Sequence, residues 1–173
     1  PRFEYRHGYK TLAVDSVDAA AFVSQRTRLN LGYNSETFNA YFSLQNVRVW
    51  GDVATLATSD KNGTAIHQAW AEVFLNKQFS LKFGRQEISY DDQRIFGSVD
   101  WAQQARSHDA LIVTYKPNVN NRIDLGLAIS SEDETLFEAD YTVNNYKSFQ
   151  YVWYHTNLND FGLSILALNN GYA

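Results

Sequence analysis

The residues of this chain best suited to handling a ligand are charged, and the largest group of them sits in one stretch, 79–109. Asp91, Asp92, Arg94, Asp100 and Arg106 fall there within a long polar run that also holds Ile95, Phe96 and Trp101. Outside it, Arg26, Arg28, Glu72, Lys82, Arg122 and Asp124 recur at every second position of alternating segments, and Arg85 stands where an alternation breaks. Arginines and lysines facing carboxylates across a shared space attract, orient and pass ions; they do not by themselves make or break bonds. Catalytic patterns are missing. His7, His67, His108 and His155 are scattered, with no pair at i, i+4, and neither a G-x-S-x-G elbow nor a phosphate-binding loop occurs. Asp91-Asp92 has the type of a calcium ligand pair, although such a pair is more often simply solvated. Ser107-His108 could serve a hydrolase, but the sequence offers no convincing orienting partner. We read the chain as a non-enzyme that needs no cofactor or metal.

Those charges must be positioned by strands. Residues 22–33 are the clearest case: Gln25, Thr27, Leu29, Leu31 and Tyr33 share one face, and Ser24, Arg26, Arg28, Asn30 and Gly32 the other. Period-two alternation marks a strand between an apolar and a polar environment. The same pattern gives strands over 2–7, 38–50, 66–75, 79–84, 110–116, 122–130, 146–156 and 161–169. The phase slips near Asn46, where a bulge is expected, and a short helix is allowed within 98–106. The connections alternate, long then short, along the whole chain: roughly 14 to 23 residues against about 3 to 5. In an up-and-down sheet, all the long ones then share one edge. Long loops at one edge and tight turns at the other are the asymmetry of an outer-membrane barrel. The chain therefore reads as all-β, an antiparallel up-and-down transmembrane β-barrel in a single domain, 1–173.

Composition agrees. A net charge of −4 speaks against nucleic acid, and the absence of cysteine excludes disulfides, thiol catalysis and thiolate metal sites. Mean hydropathy is −0.40, with no apolar run long enough for a membrane helix. Aromatic residues make up 15%, including 11 Tyr and 11 Phe, as aromatic girdles would require.

Several motifs carry a family resemblance. Gly84-Arg85-Gln86, Asp92-Gln93-Arg94, Gly97, Asp100-Trp101, Arg106 and Asp109, with the runs at 45–52 and 67–75, resemble the strand–loop–strand signature of the alginate-export porins. The resemblance covers most of 25–115. It implies a bacterial outer-membrane porin in contact with lipid and lipopolysaccharide, passing small or anionic solutes, including anionic saccharides. It also implies that 87–109 folds inward, its charged residues forming a constriction while Ile95, Phe96 and Trp101 pack against the wall. The alternative is a loop that stays outside. Arg26, Arg28, Arg85, Arg94 and Arg106 are the basic lining carried over from the resemblance. By phase, Arg26, Arg28, Lys82, Arg122, Glu72 and Asp124 face inward, while the acids Asp15, Asp18, Glu132, Asp133, Glu134, Glu138 and Asp140 gather in loops. Whether the inward cations pair with neighbours or give a net anion-selective lining stays open. Nine strands are odd, and family members resemble barrels of roughly 18 strands. The expectation is thus the N-terminal half of a longer barrel. The alternatives are an incomplete barrel held by the barrel-assembly machinery, or a structural or adhesive barrel whose loops bind a partner.

Overall fold

The computed structural model describes residues 1–8, 10–134, 136–137, 141 and 146–172. Glu138 and Asp140 lie outside the described residues. Nine strands follow one another: β1 Arg2–Arg6, β2 Ala20–Asn34, β3 Phe38–Val49, β4 Ala65–Phe74, β5 Phe79–Gln86, β6 His108–Asn118, β7 Asn121–Ile129, β8 Ser148–Leu158 and β9 Phe161–Gly171. Each pairs antiparallel with the next, in the order of the chain. The sheet is not closed into a barrel: among the described residues, β1 and β9 each keep one unpaired edge.

All four tight turns fall at one end of the sheet and all four long connections at the other. Short polar side chains build the turns by replacing backbone acceptors. Asn76 Oδ1 accepts from the Gln78 and Phe79 amides at 2.8 and 3.0 Å. Ser35 Oγ accepts from Phe38 N at 3.0 Å, and Asn118 Oδ1 from Asn120 N at 3.0 Å. The turn between β6 and β7 is tighter than the sequence suggests, because β6 runs on to Asn118 with a register shift after Tyr115.

The two faces differ sharply. One carries Leu29, Leu31 and Tyr33 of β2, Phe79 and Phe83 of β5, Leu125 and Leu127 of β7, and Leu163 and Ile165 of β9, all exposed. Paired rings edge it at the tight-turn end: Tyr33 with Phe38 at 5.1 Å and Phe79 stacked on Tyr115 at 4.4 Å. The other face carries Ser24, Ser43, Gln45, Gln86, Thr114 and Asp124, all buried. So much exposed apolar surface on one face calls for a non-aqueous neighbour. No helix is long and apolar enough to cross a membrane, which says nothing about a β-barrel.

Three expectations are corrected here. The phase does not slip at Asn46. Asn46 pairs with Thr27 and Arg48 with Gln25, on the row that begins with Leu29 and Leu44. That row simply turns polar towards the long connections. The irregularity lies across the next ladder: Ser43 opposes Gln68 and Leu44 opposes Ile66, so His67 is the extra residue. A bulge re-aims a side chain, and His67 is only 3% exposed. Finally, residues 98–106 form turns and contain no helix.

Gly84, at φ 110°, is the one glycine of the nine strands with a positive φ. A Cβ there would collide with the Ala69 carbonyl on β4, and side-chain-bearing residues avoid that backbone region.

Candidate solute pathway: a polar face and the segment across it

The connection between β5 and β6 spans 87–107 and lies across the polar face, held at three places. The first is an aromatic socket. Ile88 and Phe96, 2% and 6% exposed, pack with Ile112, Ala128, Phe149, Tyr151 and Trp153. Tyr90 stacks on Trp153 at 4.5 Å and meets Tyr151 edge-on at 5.6 Å. Trp153 Nε1 donates to Asp91 Oδ2 at 2.9 Å.

Beneath the socket sits Asp124, fully buried. It accepts from Tyr90 at 2.7 Å, from Thr114 Oγ1 at 2.8 Å, and from Arg122 Nε and Nη2 at 2.9 and 2.7 Å. Burial, then the neighbouring Tyr151 and Asp124, pushes the Tyr90 phenol above its ordinary range. It therefore remains a proton donor to Asp124 at physiological pH.

The second attachment is central. Glu87 Oε1 lies 2.7 Å from Nε2 of the bulged His67 and 3.8 Å from Arg28 Nη1. The third is at the β2 side. Arg26 Nη1 donates to Asp100 Oδ1 at 3.0 Å, with Arg28 Nη1 at 3.7 Å from the same oxygen. Gln45 Nε2 donates to the Gln104 carbonyl at 2.9 Å, Arg2 Nη1 to the Trp101 carbonyl at 3.0 Å, and Gln103 reaches Ser24. Between attachments the backbone bends hard. Asp91, Gln93, Val99 and Ala105 all take positive φ, and for β-branched Val99 at 51° this is strained.

The anticipated site residues separate into groups. Arg26, Arg28 and Asp100 meet. Glu72, Lys82 and Arg122 line an open cleft of 430 Å³ that also takes in Lys116 and Tyr90, and Asp124 is buried behind Arg122, paired with it. There Lys82 Nζ sits 4.0 Å over the Trp70 ring and Glu72 accepts from Ser80 at 2.7 Å. Among the described residues, Asp92 and Arg94 pair only with each other, in solvent. Arg106 borders a separate hollow beside His108. Arg85 falls on the apolar face, sharing its row with Phe79 and Phe83 and pairing with Asp109 at 2.7 Å. Of the three apolar residues expected to pack inward, only Phe96 does so; Ile95 and Trp101 are 54% and 73% exposed.

Sequence reasoning missed Tyr90, Glu87, His67, Trp153 and Lys116. Lys116 shares its phase with Thr114 and was open to view. The others act through contacts between distant segments and leave no local signal.

Electrostatically, pairing dominates. Arg2 and Arg6 engage Glu4, Arg26 and Arg28 engage Asp100, and Arg122 engages Asp124. A positive excess survives all the same. On the polar face Arg2, Arg6, Arg26, Arg28, Lys82, Lys116 and Arg122 stand against Glu4, Glu72 and Asp124. The crossing segment contributes Glu87, Asp91, Asp92 and Asp100 against Arg94 and Arg106, which halves the excess without removing it.

The site is thus a meander with one greasy face and one charged face under a strapped-down segment. Residues 11–127 match the family model described as alginate export, well over half of the chain. The chain belongs to the alginate-export family, an outer-membrane export and channel family rather than a family of enzymes. A comparison with curated proteins found no match.

Proposed function

We propose that the nine strands form part of the wall of a transmembrane β-barrel in the outer membrane. The polar face lines a passage for small or anionic solutes, among them anionic saccharides, and 87–107 narrows it. The observation that carries this is the position of the segment. It is tied by Asp100 to Arg26 and by Tyr90 to Asp124 on the charged face, while the opposite face exposes aliphatic and aromatic side chains. In lipid, unpaired strand edges are costly, so the β1 and β9 edges pair with further strands in the working barrel. The surplus of cations attracts anions, and low-dielectric walls focus that field.

The test is single-channel recording of the purified protein in planar bilayers. Stepwise currents with a reversal potential favouring chloride over potassium are expected. A protein that inserts without conducting would overturn the passage. The two free edges favour a second reading, an incomplete barrel covered by an assembly partner. Co-purification in stoichiometric complex, with no conductance after release, would select it.

A further inference from the structure

Between the crossing segment, β6, β8 and β9 lies a hollow of 290 Å³, away from the Arg26–Asp100 tie. Its walls are aromatic. The Phe96 and Phe149 rings lie 5.4 Å apart, and Tyr146 meets Phe149 edge-on at 4.9 Å. His108, only 9% exposed, closes its floor. His108 Nδ1 is engaged by the Tyr146 hydroxyl at 2.9 Å, yet Nε2 is buried with no hydrogen-bond partner among the described residues. Asn170, a residue of the same lining, likewise buries its Oδ1 without a partner among the described residues. At the rim stands Arg106, exposed and without an ion-pair partner among the described residues.

Buried polar atoms in folded proteins are nearly always satisfied, so two orphans lining one hollow need an explanation. Their chemistry specifies a ligand. Asn170 Oδ1 accepts only, and His108 Nε2 donates or accepts according to tautomer; a hydroxyl group answers both. The three rings favour an aromatic body packed edge-to-face. Arg106 provides a charge-assisted bond to a carboxylate. The volume admits a molecule of one ring, at the small end of ligand pockets.

We propose that this hollow binds a single-ring hydroxylated aromatic carboxylate. The site goes beyond the passage reading: binding is measured whether or not ions flow, so failure of one leaves the other standing.

The experiment is calorimetric titration of the whole protein in detergent with para-hydroxybenzoate, benzoate, para-hydroxybenzamide and glucuronate. Para-hydroxybenzoate is expected to bind tightest. Benzoate, lacking the hydroxyl, and the amide, lacking the charge, are each expected to bind at least about tenfold more weakly, roughly the loss of one good polar contact. His108→Phe and Asn170→Leu should weaken para-hydroxybenzoate to the level of benzoate, and Arg106→Gln to the level of the amide. The ligand series on the unaltered protein needs no variant to fold. Heat evolved with none of the four, or equal affinity for the first three, would overturn the site. Tightest binding of glucuronate would overturn the aromatic assignment in favour of a pyranose ring.

Discussion

Asp124→Ala is expected to lower stability by about 3 kcal/mol and to loosen the segment across the polar face. Asp124 is fully buried and accepts four hydrogen bonds from three side chains. Breaking a buried, hydrogen-bonded ion pair by removing one partner typically costs about 3–5 kcal/mol. Here the Arg122 side chain is 43% exposed and can recover some hydration, which favours the lower end. The Thr114 hydroxyl, buried beside it, cannot. Tyr90 retains a contact to Tyr151 of β8 at 3.0 Å, but loses its bond to β7. Urea unfolding of the variant in detergent measures the first effect. Single-channel conductance measures the second and should rise, because a freed segment obstructs less. Tyr90→Phe should reproduce the conductance change with a smaller loss of stability. Unchanged stability in Asp124→Ala would mean that the network is not the anchor inferred from its burial.

Reversing Arg26 and Arg28 to Glu together is expected to abolish anion preference and enlarge conductance. In the native arrangement both arginines face Asp100, and Arg28 also faces Glu87. Arg28 Nη2 is buried with no partner among the described residues, so its charge is not fully quenched by these contacts. The double variant would gather four carboxylates where two cations and two carboxylates stood. That repels the segment and inverts the local field. Reversal potentials in a potassium chloride gradient should move towards the potassium side, most strongly at low salt, where screening is weakest. Exchanging the solvent-exposed pair, Asp92→Arg with Arg94→Asp, should leave selectivity unchanged, since both side chains stand in solvent, 60% and 85% exposed. Retained chloride preference in the double glutamate variant would show that these arginines serve pairing alone.

Much of the sheet was legible because a strand between lipid-like and polar surroundings writes its environment into every second residue. β2 shows this over 22–33, and its faces in the structure are the ones the alternation predicts. Asn76 was legible for a related reason, since its side chain makes the turn locally. Strand ends were harder. His108 and Asp109 look like loop, yet they pair with Gln86 and Arg85 at the start of β6. Beyond the apolar band both faces of a strand become polar and the alternation fades, which also explains the false slip at Asn46 and the misplacement of Arg85. The course of 87–107 was not legible from local sequence. Its ties to Asp124, Arg26 and Ser24 join residues 34, 74 and 79 positions apart. Ile95, Phe96 and Trp101 look equivalent in sequence, and only Phe96 meets a socket of aromatic partners assembled from β6 and β8.

The most direct test of the central claim is thiol modification during channel recording. Residues 1–173 hold no cysteine, so an introduced thiol is unique among them. Lys82→Cys places it on the charged face beside the cleft, and Leu125→Cys on the apolar face. A charged, membrane-impermeant methanethiosulfonate reagent should lower the current through the Lys82→Cys channel in discrete steps and leave the Leu125→Cys channel unaffected. Block at Leu125→Cys with none at Lys82→Cys would invert the faces and contradict the account.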